Sequence, residues 1–234
     1  MEEFATLGFR PPPTPLRPLL GLTMLVVEDS RFACDALRLM CLRSGARLRR
    51  ADSLAAARRH LSVYQPCVTL VDMGLPDGSG AELIAELAQS SPRIPAILAT
   101  SADDFAEPIA VAAGADGFLP KPYDSLAAFQ SAVLSHLPSS HQPGGPRPLP
   151  DEEVSADKVS FRDDLAQAAD LLHRTPNSQT REYTANFIAG IARQARDETL
   201  EVTALRLADP DAGTRELEAL TCLIDERITE TPVM

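Results

Sequence analysis

Between residues 22 and 137, short apolar and β-branched runs alternate with longer stretches whose apolar residues recur every three or four positions. The first kind reads as strand and the second as amphipathic helix. Their alternation is the signature of a parallel sheet covered by helices on both faces. Strands are predicted at 23–27, 47–51, 68–71, 96–99 and 117–119, and helices at 31–44, 53–63, 81–89, 104–113 and 125–137. Ser30 precedes the first helix as a cap and Gly45 follows it, while Gly114 closes the fourth. Leu25-Val26-Val27 and Val68-Thr69-Leu70-Val71 suit central strands buried on both sides, and Arg47-Leu48-Arg49-Arg50 suits an edge.

The flanks carry other patterns. Residues 1–21 hold Pro11-Pro12-Pro13, Pro15 and Pro18, which lack the N–H that helices and ladders need, so an extended and poorly ordered leader is expected. Residues 138–150, with Ser139-Ser140, Gly144-Gly145, Pro146 and Pro148, read as a linker. From 151 to 234 only helical periodicity remains: Phe161, Leu165, Ala168 and Leu172, then Tyr183, Phe187, Ile191 and Ala195, then Leu217, Leu220, Ile224 and Ile228. Pro176 and Asp209-Pro210-Asp211 separate three helices, the middle one running from about 179 to 207. Each has one apolar stripe, which must pack on the others, on the α/β domain or on a second copy.

Composition narrows the class. Of the 234 residues 44% are hydrophobic and 24% charged, as in water-soluble globular chains, and no apolar run approaches the ~20 residues of a membrane span. Met1-Glu2-Glu3 is acidic where an export signal is basic, so a cytoplasmic chain is expected. Cys34, Cys41, Cys67 and Cys222 lack zinc-site spacing and read as small hydrophobes. The formal net charge of -11 argues against coating nucleic acid and points to a protein partner.

In open sheets of this kind ligands gather outside the carboxyl ends of the strands. The first strand ends in Glu28-Asp29, the third in Asp72, the fourth in Thr100-Ser101 and the fifth in Lys121. Three carboxylates converging on one rim repel one another unless a cation joins them, and Mg²⁺ takes oxygen ligands of this kind. A lysine and a hydroxyl beside them suit transfer of a phosphoryl group to a carboxylate. Taken singly, each has a plainer reading: Glu28-Asp29 as helix-capping acids, Asp72 to Gly78 as a turn, Thr100 and Phe118 as core, Lys121 as surface charge.

Four motifs in order, Val26-Val27-Glu28-Asp29, then Asp72-Met73-Gly74-Leu75-Pro76-Asp77-Gly78, then Thr100-Ser101, then Phe118-Leu119-Pro120-Lys121-Pro122, make residues 22–137 resemble the response-regulator receiver (CheY-like) family of two-component systems. The resemblance implies a flavodoxin-like strand order 2-1-3-4-5 and a phosphorelay role. It implies Asp72 as the phosphoacceptor, and Mg²⁺ held by Glu28 through water, by Asp29, by Asp72 and by the backbone carbonyl of Gly74. It also implies Lys121 as the phosphoryl's cation, Pro122 in a cis peptide, and Thr100 and Phe118 as the switch pair. The partners it implies are a histidine kinase or histidine phosphotransfer protein. Pro108, inside the fourth helix, departs from the family and makes that helix's first turn irregular.

The helical segment from 151 onward holds nine Lys plus Arg against eighteen Asp plus Glu, a balance of −9. That sign disfavours DNA, and the favoured output is protein binding or homodimerisation without membrane contact, with a DNA-binding transcriptional regulator as the alternative. A phosphotransfer bundle would need an exposed histidine, but His173 stands at a helix end beside Arg174-Thr175-Pro176. His60, His136 and His141 are not grouped as ligands. No separate enzymatic constellation is evident.

Overall fold

The computed structural model describes residues 11–145, 147–154, 156–174 and 177–230. The first ten residues of the expected leader, Pro146 in the linker and Pro176 between helices lie outside the described residues. The α/β part runs β1 (Thr23–Val27), α1 (Arg31–Ser44), β2 (Arg47–Ala51), α2 (Leu54–Leu61), β3 (Val68–Asp72), a two-residue hairpin β4 (Gly74–Leu75) and β5 (Gly78–Ser79), α3 (Gly80–Ala88), β6 (Ala96–Ser101), α4 (Ala106–Ala113), β7 (Gly117–Pro120) and α5 (Leu126–Ser135). Then come α6 (Lys158–His173), α7 (Ser178–Ala195), α8 (Glu198–Ala208) and α9 (Thr214–Glu230).

Five parallel strands pair in the order β2-β1-β3-β6-β7, which is 2-1-3-4-5 once the small hairpin is set aside. β3 is buried throughout, and β2 exposes alternate residues as an edge should. The α1 caps follow the expected chemistry. Ser30 Oγ accepts from the Ala33 N–H, and Gly45, at φ 88°, takes the left-handed conformation only glycine adopts freely. α4 begins at Ala106 without a side-chain cap, with Pro108 in its first turn, which needs no donor there. Gly80 opens α3 hard against the end of β3: a Cβ there would sit 2.0 Å from the Asp72 carbonyl oxygen, so its lack of a side chain is what lets α3 start beside Asp72.

Two flanking segments, where described, carry contacts that their composition does not announce. The described end of the leader packs: Leu19 is fully buried, and its N–H donates to the Ser44 carbonyl at 2.9 Å. Apolar burial at Leu19 and Leu22 outweighs the proline-rich composition around them. Residues in 138–150 are tied along α5. Gln142 donates to the Leu134 and Leu137 carbonyls, and Arg147 donates to Gln130 and Ser131. The chain then pairs back on the start of α5, where the Val154 N–H donates to the Asp124 carbonyl.

The expected long middle helix is two. Arg196 adopts φ 60°, ending α7, and Asp197 caps α8 by accepting from the Leu200 N–H while pairing with Arg227 at 2.6 Å. A local cap reinforced by an ion pair ends the helix that the stripe at Tyr183, Phe187, Ile191 and Ala195 begins. The helices do not float free. Phe161, Leu165, Ile188 and Leu200 belong to the same buried cluster as Phe32, Leu37 and Phe129 of α1 and α5, so one apolar core runs from the sheet's first face into α6–α9. A second cluster lies under α2, α3 and α4.

Candidate functional site

Parallel register brings the carboxyl ends of β1, β3, β6 and β7 to one edge, with Asp72 opposite Thr100 and Val27 opposite Val71. There Glu28, Asp29 and Asp72 each offer an oxygen within 4.8 Å of the others. Lys121 Nζ lies 2.7 Å from Asp72 Oδ2 and 2.8 Å from Glu28 Oε2. The Lys121–Pro122 peptide is cis. These residues line a cavity of about 580 Å³ that also takes in Gly74, Ser101 and, from α7, Tyr183, Asn186 and Phe187.

Their electrostatics follow from burial. Glu28 is 1% exposed; burial and then the Asp72 charge hold its carboxyl well above the usual range. Burial and then Asp72 push Asp29 from 3.8 to about 6, against the opposing pull of the Tyr183 hydroxyl and Lys121. Burial alone would lower Lys121, but Asp72 and Glu28 more than offset it, and its ammonium is held well above its ordinary value. One ammonium therefore faces more negative charge than it can balance. Glu28 Oε2, although at ion-pair distance from Lys121, is off the hydrogen-bond direction and is a buried acceptor without a hydrogen-bond donor. Mg²⁺ takes carboxylate and water oxygens, and the three carboxylates within 4.8 Å of one another would supply such donors. The donor set, all oxygen and acidic, with one buried acceptor still unsatisfied, fits such an ion.

Because protonation relieves Asp29, the stability this group permits is full below its unfolded pKa of about 3.8 and is lost as pH rises through about 6. In chelator, the unfolding free energy of wild type is expected to fall across that window relative to Asp29→Asn, by on the order of 1–3 kcal/mol. Chemical denaturation at pH 4 and pH 7.5 measures it, and equal pH slopes in the two proteins would refute the shift.

Not every expected residue faces the cavity. Thr100 is buried beside Asp72, but its hydroxyl is turned toward β7, 2.6 Å from both the Leu119 carbonyl and the Tyr123 hydroxyl. Of the Thr100-Ser101 pair, Ser101 is the one on the cavity wall. Phe118 packs partly buried against the second cluster, and the Gly74 N–H donates to Asp72 Oδ1 at 3.2 Å.

The helical module adds residues not singled out for the rim in the sequence. Tyr183 donates its hydroxyl to Asp29 Oδ2. Asp164, 1% exposed on α6, accepts from Ser30 Oγ at 2.8 Å and from the Phe32 and Arg31 N–H groups at 3.0 and 3.2 Å. Gln194 brackets Tyr123, accepting from its N–H at 2.7 Å and donating to its carbonyl at 3.2 Å. Arg193 donates to the Ala102 carbonyl and pairs with Asp104 and Glu201. The one available signal was an acid, Asp164, on an otherwise apolar stripe.

Residues 24–132 match the family described as response regulator receiver domain. The KDP operon transcriptional regulatory protein KdpE of Escherichia coli (strain K12) is 30% identical over 153 residues, 64% of this chain and 63% of that protein. The virulence transcriptional regulatory protein PhoP of Salmonella typhimurium is 29% identical over 103 residues, 44% of this chain and 46% of that protein. The chain thus spans less than two thirds of the length of either relative. A putative response regulator from Chloroflexus aurantiacus aligns at 27% identity with a TM-score of 0.45, over 49% of this chain and 98% of that one. No helix among the described residues is long and apolar enough to cross a membrane.

Proposed function

With residues 24–132 a response-regulator receiver domain, we propose that the chain is the phosphoaccepting switch of a two-component phosphorelay, and that Asp72 takes the phosphoryl group from a histidine kinase or histidine phosphotransfer protein. The observation that carries this reading is the meeting of Asp72 with a buried ammonium at 2.7 Å and two further carboxylates within 4.8 Å. In the transfer, an Asp72 oxygen attacks phosphorus, the P–N bond to the donor imidazole breaks with its electron pair leaving on nitrogen, and an acyl phosphate forms. Lys121 would hold a phosphoryl oxygen, and Asp29, Asp72 and the Gly74 carbonyl directly, with Glu28 through water, would hold Mg²⁺. That ion, when bound, neutralises charge shared by the carboxylates and the incoming group. No separate catalytic domain is invoked.

The test is direct. Wild-type protein given Mg²⁺ and acetyl phosphate should gain the mass of one phosphoryl group, and excess chelator should prevent the gain. Uptake that is unaffected by chelator would refute the metal-dependent site.

For the output, we infer that phosphorylation draws the Thr100 hydroxyl from Leu119 and Tyr123 toward the phosphoryl oxygens, with Phe118 turning inward as Thr100 moves. Beside them Phe105 and Ile109, four residues apart, are exposed on one side of the α4 start, and Val111 is exposed on another, apolar surface suited to a protein partner or a second copy. Light scattering with and without beryllofluoride reads the second-copy case: an unchanged mass excludes phosphorylation-driven dimerisation. DNA binding is the second reading, favoured by the two relatives' description as transcriptional regulators. Against it, Arg193 and Arg196 are engaged with Asp104, Glu201 and Asp124, and the module is acidic. A salt-dependent mobility shift with DNA would favour it. The expected location is the cytoplasm.

A further inference from the structure

The turn Glu28-Asp29-Ser30 links β1 to α1 and carries two of the three acidic side chains of the rim. Arg50 of β2 holds its backbone, donating to the Asp29 and Glu28 carbonyls at 2.6 and 3.4 Å, and further contacts come from outside the α/β domain. Asp164 grips it on one side, through Ser30 Oγ and the first N–H groups of α1, and Tyr183 grips it on the other, through Asp29 Oδ2. Within the turn the Ser30 N–H donates to Glu28 Oε1 at 3.2 Å. A short polar turn between a strand and a helix would otherwise leave the Asp29 carboxylate free to rotate about its side-chain bonds.

A carboxylate has about four lone-pair sites, so a phenol on one oxygen leaves the other able to bind an ion. The three rim carboxylates approach within 4.8 Å of one another while Tyr183 holds Asp29. The phenol contact and a metal-binding arrangement are therefore compatible, and they coexist in the same structure. Ligating carboxylates are oriented by such outer hydrogen bonds, whose loss weakens metal affinity about 10- to 100-fold.

We propose that Tyr183 is a positioning residue of the acidic site, contributed by the helical module, which orients Asp29 for a divalent ion so that ion binding and docking of α7 reinforce each other. The inference rests on the reading of Glu28, Asp29 and Asp72 as the Mg²⁺ site. Reciprocity follows from linkage: if docking raises ion affinity by some factor, the ion raises the docking equilibrium by the same factor.

Mn²⁺ alone, titrated into the full chain and followed by the electron paramagnetic resonance of free ion, provides the test. Tyr183→Phe should bind about tenfold more weakly than wild type, whereas Tyr64→Phe, which removes a phenol paired instead with His60, should bind as wild type does. Saturating Mg²⁺ should also slow hydrogen exchange of the α7 amides in wild type and do so less in Tyr183→Phe. Equal or tighter Mn²⁺ binding by Tyr183→Phe would overturn the inference and leave the acidic site standing. Wild type that shows no saturable binding would overturn both.

Discussion

Asp164→Ala is expected to lower the unfolding free energy by about 2–4 kcal/mol, a loss comparable to that of a large core residue. The side chain is 1% exposed and serves three donors, Ser30 Oγ and the Arg31 and Phe32 N–H groups. All three face the positive end of α1, where a carboxylate is favoured by the helix dipole. Burial raises the Asp164 pKa, so its charge is held at a desolvation cost, and its donors offset part of that cost. Removing the acceptor leaves those donors unpaired in a core continuous between α1 and α6, where water cannot readily replace it. Denaturant unfolding should show the loss. Asp164→Asn, which keeps one acceptor oxygen, should recover part of it, and a change below about 0.5 kcal/mol for alanine would mean that this bridge between the two parts carries no net stability.

The second large effect is chemical. Asp72→Asn should abolish phosphoryl uptake from acetyl phosphate while leaving the sheet intact, because an amide oxygen is a poor nucleophile yet occupies nearly the same volume. The same substitution removes one of the charges that raise Glu28 and Asp29, so the variant should not be less stable than wild type at pH 7.5 in chelator. Intact mass spectrometry and denaturation on one preparation separate the two readouts. A variant that still gains a phosphoryl group as wild type does would remove Asp72 from the reaction.

The α/β domain was legible because its signals are local and redundant. The predicted spans 23–27 and 47–51 for two strands and 31–44 for α1 match the structure residue for residue, since β-branched runs, Ser30 and Gly45 all mark the same boundaries. The rim was legible because each acidic or basic residue stands directly at a strand end. What escaped was long-range. Tyr183 reads as a member of an apolar stripe and Asp164 was not singled out, and local pattern does not reveal that their hydroxyl and carboxylate meet Asp29 and Ser30 across more than 130 residues of chain. The division of α7 from α8 escaped for a related reason: Asp197 is a cap whose partner, Arg227, lies 30 residues on. Proline and glycine content at 138–150 likewise gave no sign that side chains of Gln142 and Arg147 reach α5.

All of this converges on which carboxylate is modified. Wild-type protein phosphorylated with acetyl phosphate and Mg²⁺, then reduced with borohydride, converts an aspartyl phosphate into homoserine, and tandem mass spectrometry of the peptides locates it. Homoserine is expected at position 72 alone, and is expected to be absent when chelator is present. Homoserine at position 29, or none at any position in a protein that has gained phosphoryl mass, would contradict it.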